Sequence, residues 1–398
     1  MLRHTASRTL APAHAQAPAL ASVPVPFRAS VPAPASVPAL ATATVLAGSL
    51  WYEAAGVVLR RSEGPYGPLR APDANGIALP EGFGSRIVAR TGRRIGGVLW
   101  HPAPGGGACF PDGDGWIYVS NSEAPLLGGA SAIRFGPDGA VADAYRVLSG
   151  TDLNRTGGRT PWNSWLSCEE ILRGRVFECD PYGSRAAMPR LAMGRFRHGA
   201  VSCDPDRGVV YLTEDEPDGC FYRFRPAYWG DLTSGVLEVL CAAPGRGRVT
   251  WRRVPDPGGS REATRDQVGD VRRFSGGEGC HYADGLCLFT TGGDNRVWAY
   301  DVEREHLEVA YDASPGSGTV TPSGGLYVAG DDGDTEINLI TPGRVATPVL
   351  RIPGHPTSEI TGLAFSPGGD RLYFSSRRGP RGDASDGVTY EVTGPFRH

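Results

Sequence analysis

From about residue 105 onward one pattern of apolar and polar positions recurs along the chain. A turn rich in Pro, Asp and Gly leads into an aromatic-bearing apolar run, and polar or acidic residues follow it. The runs are Asp114-Gly115-Trp116-Ile117-Tyr118-Val119, Gly208-Val209-Val210-Tyr211-Leu212, Gly285-Leu286-Cys287-Leu288-Phe289, Gly325-Leu326-Tyr327-Val328 and Asp370-Arg371-Leu372-Tyr373-Phe374, with Asn163 to Glu170 as a sixth, divergent case. Short apolar runs bounded by turn residues predict buried strands. The key aromatics fall at 118, 165, 211, 289, 327 and 373, with gaps of 47, 46, 78, 38 and 46. A period of 40–50 residues is that of propeller blades. A second apolar run follows each first one, at 132–135, 175–177, 221–224, 296–300, 336–339 and 388–390. Six such hairpins predict an all-β propeller of six blades; the competing reading is a large β-sandwich. The gap of 78 predicts an Arg-rich insertion at about 226–275, between the third and fourth aromatic strands. The aromatic strand is taken as the innermost of its blade, so that its end faces the channel.

Composition narrows the partners. The 56 Gly and 34 Pro fit a chain of many turns. A net charge of −3 with no basic block argues against nucleic acid. Lysine is absent, so every fixed cation is Arg, the better bidentate phosphate ligand. The eight Cys form no CxxC pair, which excludes zinc-ribbon and thioredoxin chemistry; disulfides and buried free thiols both stay open. Residues 1–60 are expected to be a leader or a disordered targeting segment, because their Ala, Pro, Val and Ser composition cannot build a core. Residues 61–398 then form a single propeller domain. Ala39 to Leu59 is apolar apart from Glu53, but its Ala, Thr and Gly content suits a spanning helix poorly. Membrane anchoring is therefore not expected; an exported monomer is.

Candidate chemistry gathers where strands end. Trp165-Leu166-Ser167-Cys168-Glu169-Glu170 closes on a thiol and two carboxylates, a mixture of soft and hard donors that suits iron better than magnesium. Polar groups recur at equivalent places in other blades. Before the aromatic strand stand His198, Glu278 and Glu359, at 13, 11 and 14 residues from the blade aromatic. After it stand Asn121 and Glu123, then Glu214, Asp215 and Glu216, then Asp294 and Asn295, then Asp331, Asp332 and Asp334. One acid at a strand end is ordinarily just solvated. Recurrence at one blade position is different, because residues at one height in a propeller meet around its axis. Gly105-Gly106-Gly107 lacks the Lys of a phosphate loop and reads as a turn.

These residues resemble the PhoX family of alkaline phosphatases. The resemblance rests on Gly67 to Arg90, Tyr118 to Glu123, Thr160 to Glu170, Gly194 to His198, Val210 to Asp215, Gly292 to Tyr300 and Ser358 to Gly362. It implies a propeller whose channel holds Fe3+ and Ca2+ and whose activity is hydrolysis of a small-molecule phosphomonoester. It further implies Cys168 as an iron ligand, Glu123, Glu169, Glu278, Glu359 and Asp331 as metal-binding carboxylates, and Asn121 in the catalytic site. An Arg would hold the transferred phosphoryl group; Arg159 and Arg296 lie nearest the motifs. The chain departs from the family at His198-Gly199, where relatives carry His-Glu, and at Ala329-Gly330-Asp331, where they carry Ala-Glu-Asp. These losses keep two other readings in view: a non-catalytic, calcium-stabilised propeller that binds a ligand or partner, and a lactonase-like hydrolase.

Overall fold

The structure is a computed structural model and describes residues 44–47, 64–294, 296–312, 326–330, 335–340 and 346–396. Regular structure within these is almost entirely strand, with three single-turn 3-10 helices. Six sheets of four or five strands succeed one another. Blade 1 comprises Pro104–Asp112, Gly115–Ser122, Gly128–Phe135 and Val141–Thr151; blade 2 comprises Asn154–Arg159, Trp165–Glu169, Val176–Cys179 and Met188–Pro189. Blade 3 has five strands, His198–Asp204, Val209–Glu214, Phe221–Tyr228, Asp231–Ala242 and Val249–Arg253. Blade 4 runs through Gly277–Ala283, Leu286–Thr291, Arg296–Asp301 and His306–Asp312. Blade 5 sets Thr44–Ala47 parallel to Leu326–Gly330, followed by Thr335–Ile340 and Ala346–Ile352. Blade 6 takes Ile360–Phe365, Arg371–Ser376 and Val388–Thr393, and borrows Gly84–Arg90 as its outer strand.

The first strand of each sheet abuts the first strand of the next, and that of blade 6 returns to that of blade 1. The sheets therefore close into a ring, the expected all-β propeller. Three local expectations change. The aromatic strands are second from the axis, not innermost. The stretch set aside as an insertion supplies the last two strands of blade 3. Thr44–Ala47, inside the expected leader, is the inner strand of blade 5.

Packing explains why the aromatics mark the second strand. There they fill the wedge between neighbouring blades: Tyr118 stacks on Tyr373 across blades 1 and 6 at 5.0 Å, and Phe221 on Phe289 across blades 3 and 4 at 4.3 Å. Tyr118, Trp165, Tyr211, Phe289, Tyr327 and Tyr373 are all buried. Burial of each such ring contributes roughly 1.5–3 kcal/mol. At several inner-strand positions there is no room for a side chain. A Cβ on Gly106 would lie 2.6 Å from Thr156 Cα, and one on Gly199 would lie 2.1 Å from the Gly277 carbonyl oxygen. Gly105-Gly106-Gly107 is accordingly part of an inner strand and not a turn. Between these strands lies a narrow cavity of about 80 Å³, lined by Gly107, Thr156, Gly157, Ala200, Gly279 and Gly362 among others.

Candidate active site at one end of the channel

One backbone hydrogen bond, repeated in five blades, builds the site. The residue just after the second strand donates its N–H to the carbonyl of the residue just before the inner strand. The pairs are Glu123 to Ala103, Glu170 to Leu153, Asp215 to Arg197, Gly292 to Gly276 and Arg377 to Glu359. The backbone strains to make this turn: Ala103 and Leu153 sit at φ of 44° and 45°, and Gly276 at 71°. Such left-handed values in residues with a Cβ persist where surrounding structure imposes them, often at functional sites. The repeat holds Glu123, Glu170, Asp215 and Arg377 at one level of the ring. The adjoining inner strands bring Arg155 and Glu278 as their second residues, and Glu359 just precedes a third.

Arg155 stands among these acids. Its guanidinium donates from Nη1 to Glu170 at 3.2 Å and Asp215 at 3.4 Å, and from Nη2 to Glu278 at 3.4 Å; Glu359 lies 3.9 Å from Nη2. Burial opposes its charge, but Glu278, Glu170, Glu123 and Glu359 together outweigh burial and hold its pKa well above the ordinary value. Arg377 bridges Glu123 and Glu359, and Arg197 donates to Glu170 at 3.0 Å. Burial pushes the carboxyl of Glu170 up, with Asp215 adding to it, against the pull of Arg155 and Arg197. The carboxyl of Glu123 is likewise pushed up by burial against Arg377 and Arg155.

The residues singled out from sequence part company here. Glu278, Glu359 and Glu123 join Arg155 and Arg377 at the channel end. Glu169 does not, because neighbours along a strand point to opposite faces. It is 1% exposed and holds Arg175 through both oxygens, with Nε at 2.9 Å and Nη2 at 3.1 Å. Cys168 lies in the apolar cluster of Leu166, Val176, Val201 and Leu212, and burial keeps its thiol well above the usual range. Asn121 joins blades 1 and 2: its Oδ1 accepts from Trp165 Nε1 and Ser167 Oγ, both at 2.9 Å, and its Nδ2 donates to the Thr156 carbonyl at 2.8 Å. Arg159 ends the strand on which Arg155 is the second residue, about 13 Å away at the usual strand rise, and bonds Asn163 and the Cys109 carbonyl. Arg296 pairs with Asp294 at 3.1 Å on the third strand of blade 4. Asp331, like Asn295, Asp332 and Asp334, lies outside the described residues. Gly199 is not a vacated ligand position, since its Cβ would strike the next blade. Sequence reasoning missed Arg155, Arg197 and Arg377. Arg155 was within reach, because it precedes the blade aromatic Trp165 by 10 residues, much as Glu278 precedes Phe289 by 11.

Comparison with known proteins fits this architecture. The family profile described as alkaline phosphatase PhoX matches residues 172–271. Pseudomonas fluorescens PhoX, solved in complex with vanadate, a transition state analogue, superposes with a TM-score of 0.65 at 15% identity, covering 82% of this chain and 97% of that one. The chain thus matches the PhoX family profile over that segment and shares the fold of the solved PhoX structure. Two less similar structures also align. A Bacteroides thetaiotaomicron protein of unknown function does so at TM-score 0.49 and 11% identity, over 78% of this chain and 76% of that one. A Xanthomonas campestris gluconolactonase does so at 0.43 and 14%, over 83% and 99%. No curated protein sequence matches the chain. No helix among the described residues is long and apolar enough to cross a membrane.

Proposed function

We propose that the chain hydrolyses small phosphomonoesters at the carboxylate–arginine end of its channel. One observation carries the reading: a PhoX-like ring delivers Glu123, Glu170, Asp215, Glu278 and Glu359 from five blades to one end of its axis. Arg155 and Arg197 would supply donors to the phosphoryl oxygens. Glu170 touches both guanidiniums, and its raised pKa suits it to hold the proton that a departing alkoxide needs. Iron and calcium, the metals the family resemblance implies, would add positive charge. The residues as placed do not fit that centre: Cys168 is sunk in the core, Glu169 is held by Arg175, and Arg155 lies among the remaining acids. No step is therefore routed through a metal. The same proposal has the protein exported.

Five carboxyl groups outnumber Arg155, Arg197 and Arg377 at this end of the channel. That excess of acid disfavours an anionic ester, and it favours a second reading as a non-catalytic propeller that binds a ligand there. An assay of phosphate released from an alkyl phosphate, whose alkoxide needs a proton to leave, separates the two, run with and without added iron and calcium. Turnover that falls about 100-fold or more in Glu170→Gln is the expected result, in line with loss of a general acid. No turnover in any condition sinks the phosphatase reading and supports the second.

A further inference from the structure

Arg155 occupies the place of a bound cation. The equivalent second position of the inner strand is Gly105 in blade 1, Gly199 in blade 3 and Glu278 in blade 4. Neither glycine can be replaced without striking backbone, the Arg155 carbonyl oxygen at 2.4 Å in one case and that of Gly277 at 2.1 Å in the other. Blade 2 alone of these four projects a positive charge into the ring. That charge reaches acids from blades 2, 3, 4 and 6 at 3.2, 3.4, 3.4 and 3.9 Å, so it neutralises and cross-links them as a divalent ion would. It is also tethered, so it competes with free ions at the high effective concentration of an intramolecular group. Among the described residues no group of three or more His, Cys, Asp or Glu side chains is arranged to hold a metal ion.

We propose that Arg155 is the resident cation of this channel, standing in for a metal among Glu170, Asp215, Glu278 and Glu359, and that this end of the channel takes up neither calcium nor iron while Arg155 is present. The inference concerns charge and cross-linking in the resting protein, so it stands or falls apart from the phosphatase reading.

The test uses the full chain, purified without chelator, and combines elemental analysis with thermal melts in calcium. Wild type should carry no stoichiometric calcium or iron, and millimolar calcium should leave its Tm unmoved. Arg155→Met keeps the bulk and removes the charge. It should melt lower than wild type without calcium and recover by several degrees when calcium is added, because a ligand that binds only the folded state raises its stability. Arg155→Lys should stay indifferent to calcium. Stoichiometric metal in wild type overturns the proposal, as does a folded Arg155→Met that ignores calcium. Should Arg155→Met fail to fold, the metal content of wild type and the calcium response of Arg155→Lys decide: metal in the first or a Tm rise in the second overturns the proposal, and their absence upholds it.

Discussion

His101 and His198 are buried as neutral imidazoles, and they set how this protein should respond to acid. His101 lies between the hydroxyls of Ser131 at 3.1 Å and Ser120 at 3.3 Å; His198 stacks on Phe196 at 3.8 Å. Burial pushes both down to about 3. Between that value and 6.5 the unfolded chain binds protons that the folded chain refuses, so stability falls as pH drops through the window. Glu214 acts in the opposite sense. Burial raises it to about 7, so its contribution is lost as pH rises from about 4.5 toward 7. His281 and His355 are lowered by burial as well, and Glu123 and Glu170 are raised like Glu214, so the test is comparative: His101→Gln should lose less of its urea midpoint than wild type between pH 6.5 and 4. An unchanged slope in the variant would remove His101 from the effect. Ionic groups follow a different rule. Removing Arg155 strands several partly buried carboxylates, and breaking such a set costs about 3–5 kcal/mol. Cys168→Ser places a hydroxyl in the apolar cluster and should cost about 1–3 kcal/mol with no change in metal content; a loss of bound iron instead would restore Cys168 as a ligand.

Strands were legible in the sequence in proportion to the side chains they pack. The second and third strands of all six blades could be read, because their apolar runs fill the wedges between blades. The inner strands could not. Where neighbouring backbones come too close for side chains the inner strands carry glycine, so Pro104-Gly105-Gly106-Gly107 and Gly277-Glu278-Gly279 look like turns although they are ladders. The candidate site was half legible for the same reason. The recurring acids were visible, but which of two neighbours faces the channel depends on strand register. Placing the aromatic strand innermost put Glu169 beside Glu170, whereas the two point to opposite faces. The crowding gives its own test: Gly199→Ala should destabilise by about 1–3 kcal/mol through overpacking against Gly277, measured as a drop in Tm. A neutral result would mean that the third and fourth blades can part at that point.

Two sheets tie early strands to late ones, blade 5 through Thr44–Ala47 and blade 6 through Gly84–Arg90. Gly84–Arg90 pairs with Val388–Thr393, Ser85 opposite Val392 and Ile87 opposite Tyr390, so the earliest strand of that blade and its last lie side by side. Removing residues 1–90 should strip the inner strand from blade 5, leave Val388–Thr393 as an exposed edge in blade 6, and abolish the single cooperative unfolding transition, as followed by calorimetry; a truncated protein with one sharp transition near the wild-type temperature would show that neither early strand is needed. The pairing also sets an order of events. About 300 residues separate the two partners, so a chain leaving the ribosome carries an open ring until its final strand emerges. Whatever guards the nascent chain must cover the waiting partner, Gly84–Arg90, through nearly the whole of synthesis.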